Sequence, residues 1–446
     1  MTLAFDPTPQ RRPAISQFPL LRVENDVACT VCGCVCDDLT LHFHDQQLVR
    51  VERACSLAEP WFEALRQAAP ATSIAAIQGQ PASYQDAISA AADLLSRSHA
   101  PLIYGLSRSS SPGQRAAVEL ADRLGASIDT TASICHGPSI MAIQDVGEST
   151  CTLGEVADRA DLVVFWGANP AVSHPRHFER YSLAPRSDVL PRGRDDRRVI
   201  LIDSTAHETA AVVDDFVEVP EGQHFELICQ LREWIRRGSE AQVASPVIPP
   251  DRLRELADAL RSCRYGVVFF GLGLAQSKLG HHVVAGLLKL VAELNAVTRF
   301  AARRLRIPGD VAGADSVLCW QTGFPFAVNL GRGYPRYNPG EFSAQSLLER
   351  GEVDSCVVIG SESLKDFSPA ARESLASIPT IVLDYSHVNL QAECSVRFTT
   401  SVYGVHAAGT AYRMDETPIP LRSLSLSDYP TDETVIRDIL AKLPNS

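Results

Sequence analysis

The sequence lacks long apolar runs and any excess of positive charge. No stretch approaches the roughly 18 uninterrupted apolar residues that a membrane-spanning helix requires, so no transmembrane segment is expected. The net charge of -12 over 446 residues argues against binding to a nucleic acid backbone, because proteins that bind one present clustered Lys and Arg. Small molecules are therefore the favoured partners.

The N-terminus also lacks the apolar core of an export signal. Arg11-Arg12 matches the start of a twin-arginine signal, but the residues that follow are interrupted by Pro13, Pro19 and charged side chains. We therefore predict a flexible arm at residues 1–25 and a cytoplasmic protein. A chain of this length is expected to divide into roughly two to four packed units.

Cysteine, by contrast, is concentrated in one place. Five of the twelve cysteines lie in "VACTVCGCVCDDLTLHFHDQQLVRVERAC", residues 27–55. The spacing Cys29-x-x-Cys32-x-x-x-Cys36 puts three thiols on one loop, and "LTLHFH" and "LVRVER" alternate as two strands would. A turn at residues 45–47 lies midway between Cys36 and Cys55, so a hairpin would return Cys55 to that loop.

Four thiolates around one point suit an iron–sulfur cluster or a structural zinc ion. Zinc usually binds two paired C-x-x-C knuckles, and the second pair is missing here, so the pattern favours a [4Fe–4S] cluster. Cys34 is left over and is expected to point elsewhere along the loop. Six further cysteines fall mostly in apolar runs and are expected to be structural, namely Cys151, Cys229, Cys263, Cys319, Cys356 and Cys394.

The rest of the chain alternates strands with helices, which predicts an α/β fold. The strand pattern "PLIYGL" is followed by a helix with Ser111 as its N-cap, Pro112 at its first position and an end near Gly125. A further helix is predicted at about residues 280–295. The other predicted strands are "DLVVFWGANP", "RRVILIDST", "YGVVFFGLG", "DSCVVIGSES" and "PTIVLDYS".

These strands form two similar rounds, each with glycine at one strand end and aspartate at the next. Glycine there lets a ligand phosphate approach the backbone, and the acidic residue can accept hydrogen bonds from a nucleotide. Glycine and aspartate also end strands in any doubly wound sheet, so this signal is weak by itself. The candidate nucleotide-binding residues are Gly167, Asn169 and Asp203 in the first round and Gly360, Glu362 and Asp384 in the second.

A cysteine loop followed by two nucleotide-type halves resembles the molybdopterin oxidoreductases. In "SICHGPSIMA", Cys135-His136-Gly137-Pro138 is similar to the formate dehydrogenase motif of that superfamily. More specifically, the chain resembles the B subunit of formylmethanofuran dehydrogenase from about residue 29 to residue 422. The blocks that carry this resemblance are "APLIYGLS", "ICHGPSI", "TLGEVADRADLVVFWGANPAVSHPRHFERYS", "WQTGFPFAVNLGRGYPRYNPGE" and "GTAYRMDETPIPLR".

The resemblance implies a small iron–sulfur β-hairpin domain and two doubly wound Rossmann-like halves. The corresponding boundaries are 26–98 for the iron–sulfur domain, 99–255 and 256–395 for the pterin-binding halves, and 396–446 for a closing segment. It also implies a [4Fe–4S] cluster and a molybdopterin guanine dinucleotide that carries molybdenum or tungsten. The implied ligands are Cys29, Cys32, Cys36 and Cys55 for the cluster and Cys135 for the metal, with His136 and Arg306 beside the substrate.

The implied activity is the interconversion of carbon dioxide and formate. Arg306 would hold the carboxylate through bidentate hydrogen bonds, and His136 would move a proton. The family works in a complex whose amidohydrolase-like subunit joins formate to methanofuran, so partner subunits are expected. His174, Arg176 and His177 in "SHPRHFERY" are expected to line either the pterin pocket or a subunit surface.

Two other functions remain open at this point. The related component of bacterial formyltransferase/hydrolase complexes is a scaffold without redox activity, and retention of the cluster cysteines and of Cys135-His136 favours the enzyme over it. A nicotinamide-dependent dehydrogenase with a zinc knuckle explains the α/β halves but leaves Cys135-His136 unexplained.

Overall fold

The computed structural model describes residues 21–68, 73–389 and 393–444. Its strands, in chain order, are β1 (Leu21–Val27), β2 (Leu39–His44), β3 (Gln47–Glu52), β4 (Ala75–Ile77), β5 (Gln80–Ala82), β6 (Pro101–Gly105), β7 (Ser127–Thr130), β8 (Leu162–Trp166), β9 (Arg198–Asp203), β10 (Asp215–Glu218), β11 (Tyr265–Phe270), β12 (Arg299–Arg304), β13 (Val328–Asn329), β14 (Arg336–Tyr337), β15 (Ser355–Ile359), β16 (Thr380–Tyr385), β17 (Val396–Thr400), β18 (Gly409–Tyr412) and β19 (Pro418–Leu421).

The α-helices of the same residues alternate with these strands, as the sequence predicts for an α/β protein. They are α1 (Ala58–Gln67), α2 (Tyr84–Ser96), α3 (Ser111–Leu124), α4 (Gly137–Val146), α5 (Leu153–Arg159), α6 (Pro170–Ser173), α7 (His224–Arg237), α8 (Pro250–Ser262), α9 (Leu272–Ala275), α10 (Gly280–Leu294), α11 (Val311–Thr322), α12 (Ala344–Glu349), α13 (Pro369–Ser377) and α14 (Asp432–Lys442). None of them is both long and apolar enough to cross a lipid bilayer.

The predicted hairpin is confirmed as β2 and β3, which pair antiparallel through a turn at Asp45 and Gln46. Asp45 has a φ of 54°, a conformation that Asp adopts more readily than most residues. A third strand, β1, pairs with β2 and was not predicted. The predicted arm at residues 1–25 is therefore wrong for its last five residues, while residues 1–20 lie outside the described part of the chain.

A five-stranded sheet has the order β10-β9-β8-β11-β12, and all of its neighbouring strands are parallel. From β8 the chain adds β9 and β10 on one side, and from β11 it adds β12 on the other side. In open parallel sheets, ligands bind beyond the carboxyl ends of the strands at such a reversal of order. The carboxyl ends of β8 and β11 are therefore the first candidate ligand edge.

A nine-stranded sheet has the order β14-β13-β7-β6-β15-β16-β17-β4-β5. Its five central strands, from β7 to β17, are parallel, and antiparallel strands extend it at both edges. The order reverses between β6 and β15. The carboxyl ends of these two strands form the second candidate ligand edge.

The predicted division into contiguous halves differs from this arrangement. β6 and β7 belong to the predicted half 99–255, yet they join the sheet of β15 and β16, while β8 pairs with β11 of the half 256–395. The outer parts of the predicted domains 26–98 and 396–446 also supply strands to the nine-stranded sheet, as β4, β5 and β17. Apolar runs indicate strands that are buried on both faces, but they do not indicate which strands become neighbours.

The five-stranded and nine-stranded sheets are each covered by apolar side chains on both faces. One face of the five-stranded sheet packs against α7, α8 and α10, and its other face packs against the cysteine loop and the N-terminal sheet. The nine-stranded sheet packs against α2, α3, α11 and α14 on one face and against α12 and α13 on the other. The cysteine loop is therefore part of a packed core.

The two predicted helices are confirmed at nearly the expected bounds. α3 has Ser110, one residue before the predicted Ser111, as its N-cap, and it ends at Gly125 in a left-handed conformation with a φ of 62°. α10 covers Gly280–Leu294, and Asn295 is its C-cap.

Candidate functional site

The four candidate cluster cysteines lie together, as the hairpin predicts. The amide of Cys29 donates a 2.7 Å hydrogen bond to the carbonyl of Cys36, which closes the loop that also carries Cys32. Cys55 precedes α1 and accepts a bond from the Glu59 amide through its carbonyl. Burial, and then the neighbouring thiols of Cys32, Cys36 and Cys55, raise the pKa of Cys29 well above its ordinary value. The four thiols are therefore neighbours, three of them buried and that of Cys55 partly exposed.

Cys34 does not point away from this group, and the expectation that it would is wrong. Its side chain is buried and forms hydrogen bonds with the thiols of Cys32 and Cys36. The pKa of Cys32 is lowered, first by the bond from Cys34 and also by the nearby Arg108 guanidinium. Val35, at a φ of 36°, turns the chain tightly between Cys34 and Cys36 and keeps the loop compact.

The cysteine loop offers thiols of the kind that an iron–sulfur cluster takes as ligands. All twelve cysteines are free thiols. Within the described ranges, no three or more His, Cys, Asp or Glu side chains are arranged to hold one ion. A cluster of four irons takes one thiolate at each iron, so its ligands need not meet at one point. Four neighbouring thiols of which three are almost fully buried are a donor set of that kind.

The "SHPRHFERY" segment holds the cysteine loop through two of its arginines. Arg176 donates two 2.8 Å hydrogen bonds to the two carboxylate oxygens of Asp38, and Arg180 donates one of 2.5 Å to Asp37. Both aspartates directly follow Cys36. Such bidentate arginine–carboxylate pairs fix orientation as well as distance.

The same loop contacts the chain around Arg306. The Gly33 amide donates to the carbonyls of Arg306 and Ile307 at 3.2 and 3.1 Å, and His174 donates to the Arg306 carbonyl from Nε2 at 2.9 Å. A Cβ on residue 33 would overlap the Arg306 carbonyl oxygen, so only glycine permits this approach. The cysteine loop and Arg306 are therefore in direct contact.

Cys135 and His136 come from the other sheet. They follow β7 after a 3₁₀ turn at Thr131–Ser133, and His136 directly precedes α4. His136 donates from Nε2 to the carbonyl of Leu305, 2.9 Å away, just beyond the carboxyl end of β12. The carboxyl ends of β7 and β12 therefore meet at this hydrogen bond, and the site lies between the two sheets.

Both ring nitrogens of His136 form hydrogen bonds within the protein. Because Nε2 donates to a carbonyl, Nδ1 accepts from the hydroxyl of Ser139 at 3.1 Å. Burial, together with the charges of Arg306 and Arg304, lowers the pKa of His136 to about 3. The ring is therefore neutral at neutral pH, and both of its nitrogens are engaged by protein groups.

Arg306 is almost fully buried beside Cys135. Its Nη2 donates a 2.5 Å hydrogen bond to Asp315 of α11, while its Nε has no partner among the described residues. Burial raises the pKa of the Cys135 thiol, and the charge of Arg306 acts in the opposite direction. A thiol, a fixed guanidinium and a neutral imidazole thus surround one buried point.

The first predicted nucleotide set lies at the carboxyl edge of the five-stranded sheet. Gly167, with a φ of 58°, follows β8 in a turn beside the end of β11. The Asn169 side chain is bonded to Glu208 at 2.7 Å and to Thr209 at 2.8 Å. Asp203 is paired with His207 at 3.2 Å. These three residues therefore lie at the carboxyl edge of the sheet, near the reversal of strand order. Their polar side chains are hydrogen-bonded to neighbouring residues of the same edge.

The second set lies at the matching edge of the nine-stranded sheet. Gly360 and Glu362 follow β15, and Glu362 accepts a 2.6 Å hydrogen bond from Arg108. Asp384 is only 3% exposed and accepts hydrogen bonds from Ser361 and Tyr385. Asp384 therefore holds the Ser361 turn through these hydrogen bonds.

Sequence reasoning missed several residues of this region. Asp315 and Arg108 each pair with a predicted residue, but they lie in segments whose local pattern indicates only a helix and a turn. Among the described residues, six of the twelve buried side-chain nitrogens without a partner lie here: Arg303 Nε and Nη1, Arg304 Nε, Arg306 Nε, and both ring nitrogens of His387. Buried donors are normally bonded, so these atoms fit a polar cofactor with phosphate and heterocycle acceptors.

The chain was compared with protein-family models, with curated proteins and with solved structures. No protein-family model matches it. The B subunit of tungsten-containing formylmethanofuran dehydrogenase 2 from Methanocaldococcus jannaschii is 37% identical over 411 residues, which is 91% of this chain and 94% of that protein. Its counterpart from Methanococcus maripaludis is 33% identical over 409 residues, again 91% and 94%. The B subunit of the formyltransferase/hydrolase complex Fhc from Methylorubrum extorquens is 28% identical over 293 residues, 64% of this chain and 74% of that one.

A chain of the crystal structure of the formyltransferase/hydrolase complex (FhcABCD) from Methylorubrum extorquens with methylofuran has the same fold. The TM-score is 0.68 at 24% identity, over 82% of this chain and 98% of that chain. The molecule is therefore an α/β protein of the class found in such multi-subunit complexes. From the two archaeal relatives, the chain belongs to the family of formylmethanofuran dehydrogenase B subunits.

Proposed function

We propose that this chain is the metal–pterin subunit of a formylmethanofuran dehydrogenase-type complex and interconverts carbon dioxide and formate. One observation carries the proposal. Cys135 and His136 from one sheet and Arg306 from the other form a single buried site, and the cysteine loop contacts that site through Gly33. A redox centre and a cluster that supplies it with electrons need this adjacency.

Different residues of the chain would bind the metal, bind the substrate and orient the site. A bound metal–pterin would supply the two-electron chemistry, and the thiolate of Cys135 would hold its molybdenum or tungsten. Arg306, fixed by Asp315, would bind the formate carboxylate through its remaining donors. His136 would keep its neutral tautomer and orient the segment that carries Cys135.

The cofactors would occupy the two edges and the loop. Cys29, Cys32, Cys36 and Cys55 would hold a [4Fe–4S] cluster. The guanine dinucleotide tails would lie along the glycine turns, at Gly167 with Asn169 and Asp203, and at Gly360 with Glu362 and Asp384. A glycine at a strand end lets a ligand phosphate approach the backbone.

The activity would require other subunits, including an amidohydrolase-like one that joins formate to methanofuran or an analogue. The related proteins are named as subunits of formylmethanofuran dehydrogenase and of a formyltransferase/hydrolase complex. The complex would be cytoplasmic. Nucleic acid and membranes would not be partners.

The first test is elemental analysis of the complex purified without oxygen. About four irons and one molybdenum or tungsten per chain, with the fluorescence of oxidised pterin, is the expected result. A preparation without heavy metal and pterin would contradict the proposal.

A variant then tests the metal ligand. Cys135→Ala should abolish formate-dependent dye reduction and leave the iron content unchanged, because Cys135 lies outside the cysteine loop. Cys229→Ala, an exposed cysteine on α7, is the matched control and should retain full activity. Full activity in Cys135→Ala would remove this residue from the site.

The second candidate is a scaffold without redox activity in a formyltransferase/hydrolase complex. It is favoured by the identity of 28% with the Fhc B subunit from Methylorubrum extorquens. The scaffold predicts that Cys135→Ala leaves the activity of the assembled complex unchanged and that no heavy metal is present. The same two measurements therefore separate the candidates.

A further inference from the structure

Arg108 lies where the cysteine loop meets the second nucleotide edge. It follows β6, and its Nη1 donates to the carbonyls of Thr30 and Val31 at 2.7 and 3.1 Å. These two residues separate Cys29 from Cys32. Its Nε donates to Glu362 at 2.6 Å. One side chain therefore joins the loop to the turn after β15.

The surrounding chain makes room for this guanidinium. A Cβ on residue 309 would lie 3.2 Å from Arg108 Nη1 and would overlap the Thr30 carbonyl. A Cβ on residue 360 would lie 3.0 Å from Arg108 Cβ. The hydroxyl of Tyr385 donates to the backbone carbonyl of Arg108 and fixes the backbone there. Two glycines and a tyrosine thus build a dedicated position for Arg108.

The other cations near the loop are neutralised differently. Arg176 and Arg180 lie on the side of Cys36, and their guanidinium groups face the carboxylates of Asp38 and Asp37. On the Cys32 side, Arg108 faces the loop through Nη1, while its counter-charge, Glu362, lies at the opposite end of the guanidinium on Nε. The positive end of this ion pair is thus nearer to the cysteines than the negative end.

We propose that Arg108 is a positioning residue that ties the cysteine loop to the β15 turn and raises the reduction potential of the cluster. The inference rests on the proposed function, because it needs a cluster in the loop. Reduction adds one electron to a group that is already negative, so a nearby cation stabilises the reduced form more than the oxidised form. Glu362 opposes this effect from further away.

The experiment is a redox titration of the complex purified without oxygen. The electron paramagnetic resonance signal of the cluster is measured at each potential. Arg108→Gln should shift the midpoint potential to a more negative value. Arg108→Lys, which keeps the charge, should stay near the wild-type value. Glu362→Gln should shift it to a more positive value. The iron content of each variant is measured as well. If Arg108 only held the loop in place, its replacement would lower the iron content, and the cluster that remained would keep the wild-type potential.

Arg115→Gln is the matched control, since it removes an exposed arginine from α3 a short distance along the chain and should change neither quantity. Equal potentials in wild type and Arg108→Gln would overturn the inference, and so would equal shifts in the Lys and Gln variants. If both arginine variants lose the iron, Glu362→Gln decides, and a potential that does not rise overturns the inference. A wild-type complex without a cluster signal would overturn the proposed function itself, a result distinct from these.

Discussion

At the scale of single residues, burial decides which groups are held and which are free to bind. Arg306 is 1% exposed, yet only Nη2 is paired with a carboxylate, that of Asp315. Its Nε stays without a partner in the described structure. A buried cation can be kept in place by one acid while other donors remain available for a ligand.

Replacement of Asp315 by alanine should therefore destabilise the protein. Loss of one partner of a buried pair leaves an uncompensated charge, which costs about 3–5 kcal/mol of unfolding free energy. Formate-dependent activity should fall as well, because Arg306 loses its anchor. Glu119→Gln, which breaks an exposed pair with Arg437, is the control and should cost about 0–1 kcal/mol. Similar denaturation midpoints for the two variants would contradict the prediction.

The buried histidines should make stability depend on pH. His177 is fully buried beside Phe269, and burial and then the charge of His174 lower its pKa to about 3. Its folded pKa is thus below the ordinary value of about 6.5, so the stability it contributes is complete above about pH 6.5 and is lost as the pH falls toward 3.

His177→Phe removes this titration. From pH 7 to pH 5, the unfolding free energy of the variant should rise by about 2 kcal/mol relative to wild type, because only the wild type takes up this proton on unfolding. Denaturant titrations at the two pH values measure the difference. His44→Phe, at an exposed position on β2, is the control and should show no such change. A constant difference for His177→Phe would show that this histidine does not titrate on unfolding.

At the scale of elements, the site depends on close contact between loops from distant parts of the chain. Gly33 of the cysteine loop bonds to the segment after β12, and Asp37 and Asp38 bond to the helical segment at Arg176–Arg180. These contacts hold the loop in one orientation against the rest of the fold. They explain why an α/β scaffold can hold a cysteine loop of ordinary turns in one arrangement.

Gly33→Ala should loosen that arrangement. The added methyl group would overlap the Arg306 carbonyl, so the loop must move away and both amide bonds to residues 306 and 307 must lengthen. We expect less iron per chain in the purified variant, measured by elemental analysis. Gly154→Ala on α5 has space for its methyl group and is the control. Full iron occupancy in Gly33→Ala would show that the loop tolerates displacement.

At the scale of the whole molecule, the cysteine loop shares one core with the inner face of the five-stranded sheet. The outer face of that sheet and both faces of the nine-stranded sheet have cores without any candidate cluster cysteine. The larger part of the fold is therefore stabilised by apolar burial that does not depend on metal.

Removal of iron with a chelator should consequently loosen the N-terminal sheet and leave the two large sheets folded. Hydrogen exchange should increase at β1, β2 and β3, while the far-ultraviolet circular dichroism stays nearly unchanged. A mock treatment without chelator is the control. Complete loss of the helical signal would show that the cluster is needed for the entire fold.

The sequence by itself determined the α/β class, the β2–β3 hairpin, the bounds of α3 and α10, and the group of four cysteines. Local patterns suffice for these because strand alternation, helix capping and ligand spacing act over a few residues to a few tens of residues. The same patterns missed β1, whose strand character comes from pairing with β2. They also placed Cys34 wrongly, since its side chain is buried among the neighbouring thiols.

Only the tertiary structure decided which strands share a sheet and which side chains meet. β6 pairs with β15, and β8 with β11, across more than a hundred residues, and neither pairing leaves a mark in the local pattern. The meeting of Arg108 with Glu362 follows from the first of these pairings, and the meeting of His136 with Leu305 follows from the packing of one sheet against the other. The physical reason is that a parallel strand buried on both faces carries the same apolar sequence whatever its neighbour, so packing of the whole chain selects the neighbour.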